Sequence, residues 1–283
     1  MSHTALFSDR LSVVAQAGRR LPFLIGATRR PGMLCAALAA LLGCLPAAAQ
    51  EAPASASASV AQWGLGFSAG SLRKPYKGVA NQTVGVPIVL YENRWLSAAG
   101  PLVDLKLPVT GPVSFRLRAR YEPGAGYDAG DSAALSGMEH RKTGLWLGGA
   151  VLWRSAIADV GAEWLADASG YSKGQRATFS VQRRFPMGNF SVTPRLEASW
   201  LDHKNASYYY GVRTGEAVAG RPFYEAGSTV NTRLGVRLDY RIMPRHAVFF
   251  DVSATRLGSE IKDSPIVDRA SASSAFVGYT YLF

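Results

Sequence analysis

The 283-residue chain has two cysteines, Cys35 and Cys44, and both fall within its first fifty residues. Everything downstream is thiol-free, which excludes disulfides, thiolate metal sites and cysteine nucleophiles there. Histidine is scarce too. Past the leader only His140, His203 and His246 occur, no pair of them has metal-ligand spacing, and zinc needs three or four convergent ligands. An uninterrupted apolar run of the ~20 residues that a membrane-crossing helix requires is also missing. The best candidate, Met33 to Gln50, is broken by Gly43 and Pro46. No segment after it shows a sustained helical period.

What the first fifty residues do carry is an export pattern. Arg10, Arg19, Arg20, Arg29 and Arg30 precede the apolar run, which closes on Ala47-Ala48-Ala49. A basic lead, a short apolar core and a small-residue end predict a secretory signal peptide over residues 1–49, cleaved near Ala49. The lead is long, and a translation start near Met33 is an alternative. Leu41-Leu42-Gly43-Cys44 resembles a lipoprotein box, so a lipid anchor on Cys44 is the alternative to cleavage. Residues 50–60 (QEAPASASASV) are Ala/Ser-rich, the composition of a flexible tail.

The formal net charge is +11, of which the leader's five arginines and one aspartate supply +4, leaving +7. The remaining Lys and Arg are scattered rather than gathered, which argues against nucleic acid as a partner.

From Val60 onward the dominant period is two. Phe190, Val192, Pro194, Leu196, Ala198 and Trp200 alternate with Ser191, Thr193, Arg195, Glu197 and Ser199. Residues 229–242 and 113–121 repeat the pattern, the latter setting Val113, Phe115, Leu117, Ala119 and Tyr121 against Ser114, Arg116, Arg118 and Arg120. Alternation of this length predicts half-buried strands. It does not say which face is buried: a soluble sheet turns its apolar face inward, whereas a transmembrane barrel turns it out to lipid.

Three features favour the barrel. The segments run nine to fourteen residues, longer than the five or six usual in globular proteins and sufficient to cross a bilayer at a tilt. The connections alternate between tight (residues 108–112, 154–157, 186–189, 243–246) and long (near 70–83, 122–142, 166–174, 202–228, 257–270), as short periplasmic turns and longer external loops would. Finally the chain ends FVGYTYLF, with Val277, Tyr279, Tyr281 and Phe283 on one face, resembling the terminal signal that barrel-assembly machinery reads. The expectation is an all-β, antiparallel transmembrane β-barrel over residues 61–283, in outer-membrane lipid. Splitting the segment 94–107 at Ala99-Gly100-Pro101 gives an even count of twelve strands and puts every long loop on one face.

The stretch YYYGVRTGEAVAGRPFYEAG (Tyr208 to Gly227), the downstream RLGSEIKDSPIVDR (Arg256 to Arg269), PYKGVANQTVGVPIVLYENRW (Pro75 to Trp95) and the aromatic last strand together resemble the MipA/OmpV family of Gram-negative outer-membrane proteins. The resemblance spans about Trp63 to Phe283. It implies a barrel with a scaffolding role at the cell envelope, linking a lytic transglycosylase to a murein synthase. Porin-like, adhesive or antigenic roles are known in other members. It implies neither a cofactor nor catalytic residues.

The residues agree that chemistry is thin. Asp202, His203 and Ser207 are sequence neighbours, but a triad is defined by geometry. GLWLGGA (Gly144 to Ala150) has no following helix and so fails as a phosphate loop. More informative is the polar face. With apolar residues on lipid, the interior receives Arg116, Arg118, Arg120, Arg176, Arg184, Arg195, Arg233, Arg237 and Arg241, against the fewer carboxylates Glu163, Glu197, Asp239 and Asp251. Two readings stand: ion pairs that fill and stiffen the lumen, or a basic pore that favours small anionic solutes. Two also stand for Tyr208, Tyr209 and Tyr210: an aromatic girdle at the bilayer surface, or, with Gly211, Phe223 and Tyr224, a lid over the barrel mouth. Asp263-Ser264-Pro265 reads as a turn device, expected to pack against that tyrosine loop. On the lid reading, deletion of Gly211 to Gly220 leaves the barrel folded and alters partner binding or pore behaviour.

Overall fold

The computed structural model describes residues 61–108 and 111–283. The leader, the 50–60 tail, Cys44 and residues 109–110 lie outside the described residues. The described chain is a closed antiparallel sheet with strands β1 (Gln62–Arg73), β2 (Gln82–Glu92), β3 (Leu96–Ala99), β4 (Leu102–Lys106), β5 (Val113–Tyr121), β6 (Leu145–Arg154), β7 (Asp159–Asp167), β8 (Gln175–Gln182), β9 (Phe185–Met187), β10 (Phe190–Leu201), β11 (Thr229–Met243), β12 (His246–Arg256) and β13 (Ser271–Leu282). Each strand pairs with the next in the chain, except that β8 and β9 both pair with β10, and β13 pairs with β1 to close the barrel. The closure is tied off at one end by Trp63 and Phe283, whose rings stack 3.9 Å apart while Phe283 N donates to Trp63 O.

β8 and β9 share one register against β10, so they are two pieces of a single passage and the barrel has twelve. The break has a local cause. The register places Arg183 opposite Pro194, which has no N–H to give back to the ladder.

Alternation places lipid outside as expected. Trp63, Leu65, Phe67, Leu117, Leu147, Trp164, Leu196, Leu234 and Val277 are exposed on the outer face, an apolar surface that suits only a hydrocarbon environment. Tyr279 and Phe283 of the terminal strand lie on this outer face. Tight connections collect at the end that carries both barrel termini, and the long ones (residues 74–81, 122–144, 168–174, 202–228 and 257–270) at the other. Gly100, in the left-handed region, and Pro101 make the single tight turn on the long-loop side.

Candidate functional site: a laddered lumen beneath a packed lid

The inward face of β5 presents Arg116, Arg118 and Arg120 in one row, and the chain surrounds them with carboxylates from two directions. Asp104 on β4, 2% exposed, accepts from Arg116 Nη1 at 2.9 Å and from Arg118 Nε and Nη2 at 2.7 and 2.8 Å. Glu163 on β7 accepts from Arg118 Nη1 at 2.6 Å and Arg120 Nη2 at 2.8 Å. These contacts must span β6, and they do so because the β6 positions opposite Arg118 and Arg116 are Gly148 and Ala150. The rest of the lumen continues the pattern. Arg195 meets Asp251 at 2.5 Å, Arg237 meets Asp239 at 2.9 Å, Arg233 lies 3.6 Å from Glu197, and Arg176 meets Glu122 at 2.7 Å. Charge-assisted bonds of this kind are roughly twice as strong as neutral ones.

The expected interior arginines therefore divide. Arg116, Arg118, Arg120, Arg176, Arg195, Arg233 and Arg237 are in the lumen. Arg184 falls in the β8–β9 break and is exposed, and Arg241, though of inward parity, sits exposed at the end of β11. Two carboxylates that complete the ladder, Asp104 and Glu122, escape an alternation reading. β4 is only five residues long and Glu122 lies just past the end of β5.

Above the ladder the long loops fold together into a small core of their own. Tyr76, Val79, Tyr127, Leu135, Met138, Val212, Leu257, Ile261, Ile266 and Val267 are all buried there. No loop could bury these side chains alone, and their mutual packing supplies the apolar contact that strands supply in a soluble protein. Residues 203–210 are helical (α1, His203–Tyr210), begun by Asp202, whose side chain accepts from Asn205 N at 2.9 Å. The stretch opened by Tyr208 is thus partly regular, which its composition hides. All three tyrosines serve the lid. Tyr208 OH accepts from Lys142 N at 2.8 Å, Tyr209 O accepts from Tyr76 OH at 3.2 Å, and the Tyr210 ring stacks on Tyr76 at 5.6 Å. The girdle reading is set aside by this placement, because the rings turn inward onto other loops.

Gly211 follows α1 where a Cβ would run into Ser207 O, so only glycine lets the chain turn there. A second helix, α2 (Ser259–Lys262), precedes the Asp263-Ser264-Pro265 turn. The turn packs as expected: Ser264 Oγ donates to Tyr210 O at 2.6 Å, and Tyr224 OH donates to Glu260 O at 2.7 Å. Asp263 caps α2 and is exposed, and Pro265 is half-buried. Phe223, expected among the lid aromatics, instead points away and is 56% exposed.

One ion pair locks the lid. Arg141, 1% exposed, donates Nη2 to both oxygens of Glu216 at 2.8 and 2.7 Å and Nε to Tyr208 O at 2.7 Å. Its guanidinium also lies over the rings of Tyr127 and Tyr208. Burial alone would raise the Glu216 carboxyl. The backbone N–H groups of Arg213 and Glu139 and the Arg141 guanidinium outweigh it and hold the carboxyl below its ordinary range. Burial pushes the phenols of Tyr127 and Tyr210 up to about 12, so they stay neutral.

His140 and His203 lie in the long-loop region and His246 starts β12 beside the tight turn, which keeps the three imidazoles apart.

A closed twelve-passage barrel with an apolar outer belt, a charged interior and all long loops on one side is a transmembrane β-barrel of the bacterial outer membrane. The chain belongs to the family described as MltA-interacting protein MipA, which matches residues 65–283. Omp26La of Vibrio anguillarum is 28% identical over 190 residues, covering 67% of this chain and 69% of that protein. OmpV of Vibrio cholerae serotype O1 is 29% identical over 190 residues, with the same coverage of 67% and 69%. The MltA-interacting protein of Escherichia coli K12 is 26% identical over 234 residues, covering 78% of this chain and 90% of its own length. Two of these three are named as outer membrane proteins, and none of the three names denotes an enzyme. Among solved structures, the NanC porin shares 10% identity at a TM-score of 0.40, covering 77% of this chain and 98% of its own. Likeness of that extent carries no argument about a pore.

Proposed function

We propose that the protein acts as an interaction scaffold at the cell envelope, docking an acidic periplasmic partner of the murein-hydrolase class, and through it a murein synthase, on its periplasmic rim. The reading is supported by the family and by the name of the E. coli relative, MltA-interacting protein. The observation that carries it is an arc of exposed arginines. Arg154, Arg183, Arg184, Arg241 and Arg245 lie in or close to three successive turns on the periplasmic side, and none meets a carboxylate among the described residues. Tight turns offer little shape for recognition, but a cluster of guanidinium groups without carboxylate partners attracts an acidic surface and steers its approach. On this reading the long loops, packed around their own core, also keep the external mouth closed to passive flow.

The test is capture of a purified lytic transglycosylase by the full-length protein in outer membranes. Native capture is expected to weaken as salt rises, and the triple variant Arg183→Glu, Arg184→Glu and Arg245→Glu is expected to lose capture, while the barrel remains heat-modifiable. Equal capture by this variant, or capture that survives only while residues 50–60 are present, refutes docking on the rim.

A further inference from the structure

The barrel wall has a window. β2 pairs with β1 along its whole length, yet on its other edge it meets β3 only from Leu90 to Glu92. Gly100 N donates to Val89 O, and the β3–β4 hairpin turns there. Gln82 to Ile88 therefore have no strand partner on that side among the described residues, about 23 Å of strand edge. The opening is framed rather than ragged. Its sill is the Gly100-Pro101 turn, and its far jamb is Tyr121, whose N donates to Pro101 O at 2.9 Å. Its lintel is the segment 122–126, fastened by Lys74 Nζ to Gly126 O and laid so closely on Leu72 and Val84 that a Cβ at Gly124 would meet both. Free strand edges are not tolerated in hydrocarbon unless they line a cavity that polar groups can enter.

This one does line a cavity. A space of about 740 Å³ runs inward from the window, within the ~300–1,000 Å³ usual for small-molecule sites. Its near wall breaks the polar-inside rule: Val86, Ile88 and Leu90 of β2 and Leu102 of β4 point inward. Phe249 and Phe276 extend that wall, their rings lying flat on Gly278 and Gly70, where any side chain would displace them. The cavity is also cationic. Arg120 beside Leu102, Arg237 over the Phe249 ring, and Arg176 and Arg233 on β8 and β11 face the space, with Glu122 and Asp251 as the carboxylates among its lining. Arg176 Nε and Nη2 and Arg120 Nε have no acceptor among the described residues. Buried donors without acceptors are costly, and an anion brought into the cavity would supply one.

We propose that the window is a lateral portal through which an amphipathic anion, an apolar chain ending in a carboxylate or phosphate, passes between the outer leaflet and this cavity. Its head group is held by Arg120, Arg176 and Arg233, and its chain rests on Val86, Ile88 and Leu90. The lid closes the other route, the external mouth. The site stands apart from the periplasmic rim, so either reading can fail without the other.

The experiment is photocrosslinking in isolated outer membranes of the full-length protein. The probes are a diazirine-bearing twelve-carbon carboxylate and its methyl ester, either incorporated in the membrane or added from solution. The portal predicts carboxylate adducts on inward Val86, Ile88 and Phe276, with the ester confined to outward Val89, Val103 and Val277. Arg176→Gln should cut the inward adducts about tenfold, the loss of a charge-assisted bond, without touching the ester pattern. Pro101→Trp, filling the sill, should cut them while deletion of Gly211 to Gly220 does not. A membrane-derived ligand shows the inward adducts with the incorporated probe alone, a free amphiphile also with the added one. Adducts only on outward residues, equal inward labelling by the ester, or loss on lid deletion but not on sill filling would each overturn the portal.

Discussion

Replacing Glu216 with alanine should release the lid while leaving the barrel standing. Arg141 is 1% exposed and spends its Nη2 on both Glu216 oxygens. Removing the carboxylate strands a buried guanidinium, which typically costs about 3–5 kcal/mol. The lid core is small, with ten fully buried apolar side chains drawn from four loops, so a loss of that size is a large share of what holds it closed. The strand ladders do not depend on it. Limited proteolysis should therefore cut residues 122–144 and 202–228 in the variant and spare them in the native protein, with unchanged heat-modifiability. Acid should imitate the substitution. Glu216 has a folded pKa below the ordinary 4.5, so its contribution is complete above that value and fades as pH falls through the lower one. Amide exchange in the loops should accordingly rise below pH 4.5 in the native protein and show no such acid step in Glu216→Ala.

Asp104→Ala is expected to act on the barrel itself. That carboxylate is 2% exposed and joins Arg116 and Arg118, while Arg118 passes the connection on to Glu163. Its removal leaves Arg116 with no carboxylate partner among the described residues and Arg118 with one instead of two. The expected cost is about 3 kcal/mol or more, read as a lower denaturant midpoint for the folded barrel. Asp104→Asn, which keeps an acceptor and loses the charge, should fall between. A double-mutant cycle with Arg118→Gln should return a coupling of about 1–3 kcal/mol, because the two share one network. Additive losses would show that the lumen ion pairs are a solvated decoration rather than the frame of the barrel. They would favour the reading of a water-filled basic pore.

The barrel was legible in the sequence because membrane strands are long and strictly two-faced. β10 and β11 run 12 and 15 residues, so their period is plain. The segment 94–107 was readable only by parity, as two strands of four and five residues hold too few alternations to count. That is also why Asp104 escaped notice, and why the window above its hairpin did. A free edge is a property of register, not of composition. The inward valines of β2 carried a hint, since Val84, Val86, Ile88 and Leu90 alternate with Thr83, Gly85, Pro87 and Val89, giving a strand apolar on nearly both faces. In the lid, the decisive pair Arg141 and Glu216 joins loops that lie 75 residues apart and have no period. The helix after Asp202 was announced by its cap alone, a weak sign when Lys204, Asn205 and three tyrosines follow. The expected packing of the Ser264 turn on the tyrosine loop matches the hydrogen bond to Tyr210 O. The expected role of Phe223 there does not match its exposure.

On the proposed reading, the arginine arc at the periplasmic end is the docking face and the lidded end is closed. Scaffolding requires that the closure be real. The most direct measurement is single-channel conductance in planar bilayers, comparing the full-length protein with the variant lacking Gly211 to Gly220. The account predicts no steady conductance from the native barrel and anion-preferring openings once the lid segment is removed. Steady conductance from the native protein, or a cation preference in the opened one, would contradict it.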